Sequence, residues 1–155
     1  MEIIAEIRKQ LKLLSDTESK VSFQRWFKEP IIAYGVKSAL IKKLAKDTFK
    51  SIKHLDKQSI FNLCESLFQS DYCEEAFIAC NRSYALRKQY QPEDFQIFKN
   101  WSEKYINNRA KCDTFCNHTL GEFIQQYPQY IQDLKQRTTS SNRRVKRAAA
   151  VTFII

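Results

Sequence analysis

Residues 56–86 read DKQSIFNLCESLFQSDYCEEAFIACNRSYAL, and this stretch decides the fold class. Ile60, Leu63, Cys64 and Leu67 recur at spacings of three and four, as do Ala76, Phe77, Cys80 and Tyr84 ahead of Leu86, so each half is a helix with one apolar face. Asp56 and Asp71 stand just ahead of the two runs, where a carboxylate accepts the first free amide hydrogens, and both read as N-caps. The break between the runs is short, which predicts an antiparallel helical hairpin. Upstream, Ile3, Ile4, Ile7, Leu11 and Leu14 make another amphipathic helix over 2–15, with Arg8, Lys9 and Lys12 off its apolar stripe. Pro30 and Gly35 bound a loop, after which Val36, Leu40, Leu44 and Phe49 define a helix whose exposed side carries Lys37, Lys42, Lys43 and Lys46. Downstream, Pro92-Glu-Asp94 opens a helix bearing Phe95, Phe98, Trp101 and Tyr105. A helix from Lys111 to Tyr127 and a short one from Pro128 follow; Thr138 to Asn142 then supplies caps for a basic start (Arg143, Arg144, Lys146, Arg147) and an apolar finish at Ile155. Strand alternation is absent from this reading. The expectation is an all-α chain of successive antiparallel pairs, an α-solenoid of the HEAT or armadillo kind at about 35–45 residues per pair, with an ordinary helical bundle equally good on periodicity alone.

The 155 residues carry 26 Lys+Arg against 17 Asp+Glu, a net charge of +9, with 43% apolar residues, two glycines and three prolines. That composition predicts one basic globular domain over 1–155 and excludes disorder through about residue 135. So few turn-forming residues exclude a sandwich or barrel of many short strands, and no glycine-rich phosphate loop can exist, which removes the dinucleotide-binding and P-loop classes. Residues 1–50 carry 11 basic and 6 acidic groups, 51–100 carry 6 and 7, and 101–155 carry 9 and 4, so the positive excess lies at the two ends. If the ends share a face, that face attracts a polyanion, because each phosphate neutralised releases counterions. Five cysteines, an odd number, and an N-terminus without a basic region before an apolar run predict reduced thiols in the cytoplasm. The apolar run from Ala148 to Ile155 is far short of the ~20 residues of a membrane span. An apolar face still accumulating at Ile155 predicts a shortened form of a longer parent.

Four segments carry a family resemblance: Trp26-Phe-Lys-Glu-Pro-Ile-Ile-Ala-Tyr-Gly-Val-Lys37; Glu74-Glu-Ala-Phe77; Asn107-Asn-Arg-Ala-Lys-Cys-Asp113 with Thr-Phe-Cys-Asn-His118; and Asn142-Arg-Arg-Val-Lys-Arg-Ala-Ala-Ala150. In order and spacing they resemble the AlkD-like DNA alkylation repair family, over nearly the whole chain but about two-thirds of a family domain. The resemblance implies a HEAT-like solenoid whose basic concave groove grips duplex DNA and hydrolyses the N-glycosidic bond of cationic N3- or N7-alkylated purines, without a cofactor or metal and as a monomer near the nucleoid. The family's catalytic segment has a tryptophan four positions before an aspartate, and a later arginine opening an Ala-rich helix. Asp113 and Arg147 match, whereas Arg109 stands at the tryptophan position. Arg144 likewise falls where an aromatic is usual, and Arg82 and Arg137 are further candidates. Three accounts of these arginines stay open: a reassigned arginine codon or sequence error, true divergence that trades an aromatic contact for a phosphate contact, and a decayed gene.

The resemblance makes Asp113 the catalytic carboxylate. Read from its residue type alone, it is a helix cap or a surface charge. A purine alkylated at N3 or N7 already leaves well as a cation, so the enzyme has only to stabilise positive charge on the sugar and orient water, which a carboxylate does. Arg147 is expected to hold a backbone phosphate through its planar fork, with Arg109, Arg144, Lys146, Arg143, Lys37 and Lys43 adding DNA contacts; each is otherwise a solvated surface charge. Cys112, Cys116 and His118 are too few for a zinc site, and buried thiols are their expected state. Trp101, Tyr105, Phe95 and Phe98 read as packing residues, while Trp26 and Tyr34, in the first of the four segments, have two readings, lining the groove or packing in the core, of which the core is expected. A noncatalytic duplex-DNA-binding module and a helical-repeat scaffold for an acidic protein are the rival readings.

Overall fold

The computed structural model describes residues 2–139, 141 and 143–152, with only the backbone of Arg144 and Val145. Every regular element among them is helical: α1 (Glu2–Leu14), α2 (Thr17–Gln24), α3 (Ser38–Ile52), α4 (Lys57–Gln69), α5 (Cys73–Ala85), α6 (Asp94–Lys104), α7 (Arg109–Thr114), α8 (Gly121–Gln126), α9 (Ile131–Arg137) and α10 (Arg143–Thr152). The chain forms two compact units, residues 1–82 and 83–155, with the boundary inside α5. The caps foreseen at Ser140 and Asn142, and the finish at residues 153–155, lie outside the described residues.

In the first unit the stripe of α1 buries Ile4, Ile7 and Leu11 against α3 and α4. Burying each such side chain is worth about 1.5–3 kcal/mol. Sequence periodicity did not announce α2, because the helix buries no residue and has no apolar stripe. Its start is nevertheless chemical: Asp16 accepts hydrogen bonds from the Ser19 amide at 2.6 Å and the Ser19 hydroxyl at 2.7 Å. Asp56 caps α4 in the same way, through the Ser59 amide at 2.9 Å. Asp71 is different, for its φ of 63° places it in the left-handed region just past Ser70, where it ends α4 and turns the chain toward α5.

The non-helical stretch between α2 and α3 is held by the two glutamates that open α5. Glu74, 1% exposed, accepts the amide hydrogens of Tyr34 at 3.0 Å, Gly35 at 2.9 Å and Val36 at 3.3 Å. Glu75, fully buried, accepts from Arg8 Nε at 3.1 Å and from the Tyr34 hydroxyl at 2.7 Å. Gly35 has φ 89°, and its carbonyl receives the Asp16 amide at 2.9 Å. A Cβ there would stand 2.6 Å from Lys20 Cβ, so only glycine lets the loop lie against α2.

The second unit is built on rings. Phe98 meets Trp101 at 5.7 Å, Phe115 at 6.2 Å and Phe123 at 5.6 Å between centroids, and Phe95 stacks on Tyr130 at 4.4 Å. The helix expected from Lys111 begins two residues earlier, at Arg109, and a π-helical segment, Phe115–Leu120, joins α7 to α8. The wider turn brings the buried Thr119 hydroxyl to Ser83 at 2.8 Å. Helix α10 buries Ala148, Ala149, Val151 and Thr152 and packs against α6, α7, α9 and the π-helical segment.

A half-exposed carboxylate beside a basic helix

Asn108 starts α7 as its N-cap, accepting the Lys111 amide at 2.9 Å. Asp113 therefore sits within the helix and is not its cap, with its side chain 43% exposed. Arg109, one turn earlier, places Nε 3.7 Å from Asp113 Oδ2 and is 76% exposed. A pair so wet is worth at most about 1 kcal/mol, so the carboxylate can exchange that partner for another cation. Lys111 is the side chain that residue type did not foretell: it is 1% exposed and donates to Asn107 Oδ1 at 3.0 Å, fixing the approach to α7. The doubled asparagine before a basic first turn was the available signal.

The packing of α10 on α7 places Arg147 at the Cys112 thiol, next to Asp113 in sequence. A hydrogen bond with Cys116, 3.9 Å away, holds the Cys112 thiol below the usual cysteine value; burial opposes this and the positive charge of Arg147 reinforces it. Asp113 acts on the same thiol in the opposite sense, so carboxylate, thiol and guanidinium share one electrostatic neighbourhood. Arg143, Lys146 and Arg147 are all exposed; the Arg144 side chain lies outside the described residues. His118 has its Nδ1 at 2.9 Å from the Thr114 carbonyl and its ring edge-on to Tyr84. Among the described residues no group of three His, Cys, Asp or Glu could hold a metal ion, and no helix is long and apolar enough to cross a membrane.

In the first unit Lys37 is the residue before α3, without a side-chain capping bond, and both Lys37 and Lys43 are exposed. Lys37, Ser38, Phe23, Phe77 and Trp26 line a cleft of about 410 Å³. Trp26, expected in the core, is instead 83% exposed. Tyr34 does pack, stacked on Tyr72 at 4.1 Å. Nothing in the residue types of Glu74 and Glu75 foretells their hold on the loop before α3 beyond the placing of two adjacent carboxylates in a first helical turn.

No match was found among curated proteins or among solved structures. The model of a family described as DNA alkylation repair enzyme, however, matches residues 7–155. That span includes the loop held by Glu74 and Glu75, the helix carrying Asp113 and the basic helix α10. The chain belongs to the DNA alkylation repair enzyme family.

Proposed function

We propose that the protein is a DNA glycosylase that hydrolyses the N-glycosidic bond of cationic N3- or N7-alkylated purines in duplex DNA. The observation that carries this reading is the half-exposed Asp113 in the company of Arg147, in a chain of this family. As the bond from C1′ to the purine nitrogen lengthens, the base departs neutral and positive charge gathers on the sugar. Asp113 stabilises that charge and orients the water that attacks C1′, while the water's proton passes to the carboxylate or to solvent. Arg147, with Arg143, Arg144 and Lys146, holds backbone phosphates, and Lys37 and Lys43 add contacts of the same sequence-independent kind. The protein acts as a cytoplasmic monomer in this reading and requires no cofactor.

A second reading, a duplex-binding module without catalysis, is favoured by Arg109. A guanidinium at that position pairs with Asp113 and offers the sugar no flat aromatic face. The test is release of 7-methylguanine or 3-methyladenine from a methylated duplex. The glycosylase reading expects free base above the uncatalysed rate. No release, with duplex affinity that falls steeply with salt, selects the binding module.

A further inference from the structure

We propose that residue 82 of the natural polypeptide is tryptophan, inserted at a codon that the standard code reads as arginine. Arg82 is 0% exposed, among the largest fully buried side chains, yet it makes one hydrogen bond, from Nη2 to Thr48 Oγ1 at 2.8 Å. Its Nε and Nη1 are buried with no partner. No carboxylate pairs with it among the described residues, and burial alone drives its pKa down. An unpaired guanidinium is among the costliest groups to enclose, and arginine cannot shed its proton to escape.

The other arginines show what a settled guanidinium looks like in this fold. Arg8 pairs with Glu75 at 3.1 Å, Arg137 with Glu103 at 2.7 Å, and Arg87 lies over the Tyr84 ring at 4.5 Å. Arg137, singled out in the sequence with Arg82, is thus satisfied as arginine. Position 82 is not. It faces a single acceptor, for the Thr48 hydroxyl already donates to the Leu44 carbonyl at 2.7 Å. The site therefore suits a large apolar side chain with one donor. Indole meets that description, with one N–H and no further polar atom, whereas lysine and glutamine bring surplus donors and leucine, methionine and phenylalanine bring none. Tyrosine would satisfy Thr48 equally well. Tryptophan is chosen over it because the tryptophan codon differs from an arginine codon by a single base, so one anticodon change suffices, whereas no tyrosine codon lies so near.

The decisive experiment is tryptic peptide sequencing of the protein from its source cells. Arginine at 82 gives peptides ending at residue 82 and spanning 83–87; tryptophan removes that cut and yields one peptide over 58–87. Arginine, tyrosine or any residue but tryptophan at 82 overturns the proposal. Protein made in a standard-code host supplies a second readout: Arg82→Trp should raise the melting temperature by several degrees over the arginine form, and a lower one counts against it. Neither readout involves base release, so failure here is distinct from failure of the glycosylase reading.

Discussion

Glu74→Gln removes one charge and almost no volume, yet it strikes the point where the loop before α3 is tied to α5. The carboxylate is 1% exposed and accepts three backbone amides, with Oε2 taking Tyr34 at 3.0 Å and Oε1 taking Gly35 at 2.9 Å and Val36 at 3.3 Å. In glutamine one oxygen still serves two of them, but the other end becomes an NH₂ that points at an N–H. One bond to a charged acceptor, worth about 1.5–3 kcal/mol, is lost outright, and the remaining pair weakens. The net expectation is destabilisation by about 2–4 kcal/mol, a large part of the roughly 5–15 kcal/mol of a typical domain. Urea unfolding measures it, as a lower midpoint at an unchanged slope against denaturant. A midpoint equivalent to less than about 0.5 kcal/mol of change would refute the reasoning that these three bonds hold the loop.

Tyr34 lies above the usual phenol value through burial first and then through its bond to Glu75. The folded state therefore holds that proton above pH ~10, where the unfolded chain releases it, so the stabilisation is complete below pH ~10 and declines as pH rises further. Tyr34→Phe should cost about 1–2 kcal/mol at neutral pH and flatten the alkaline decline, followed by unfolding from pH 8 to 11. Gly35→Ala, at φ 89° with a Cβ 2.6 Å from Lys20 Cβ, should lose more than the ~1 kcal/mol of an ordinary glycine position, read as a lower melting temperature. Lys37→Gln with Lys43→Gln should make the slope of log affinity against log salt shallower by about 1.8 for duplex DNA if both lysines meet phosphates.

The two helices of residues 56–86 were legible because their apolar residues keep one face through each; Cys64 and Cys80 count as apolar there, and both are buried. Asp56 was legible as a cap because its chemistry is local. Asp71 was not, because ending one helix and starting the next use the same residue types within three positions, and only its φ of 63° decides. Helix α2 escaped notice since it buries nothing, and the π-helical segment because its extra residue per turn follows from tertiary contacts such as that of Thr119 with Ser83. Around the candidate site, Asp113 and Arg147 were legible only through the family resemblance, since residue type alone reads them as a helix cap or solvated surface charges. Their shared neighbour Cys112 and the buried Lys111 emerged only when α7 met α10 and the Asn107 turn. Trp26 misled because an aromatic in an apolar-looking loop has no periodicity to place it.

The central claim is that the Asp113 carboxylate stabilises charge on the sugar. A unit charge at about 4 Å in an effective dielectric near 20 is worth about 4 kcal/mol, and each ~1.4 kcal/mol is tenfold in rate. Exposure of 43% and the Arg109 guanidinium at 3.7 Å reduce that effect. Single-turnover excision of 7-methylguanine from a methylated duplex, compared between the wild type and Asp113→Asn, is the direct measurement. The account predicts a rate lower by about ten- to a thousandfold with duplex affinity kept or slightly raised. Equal rates in the two proteins would contradict it.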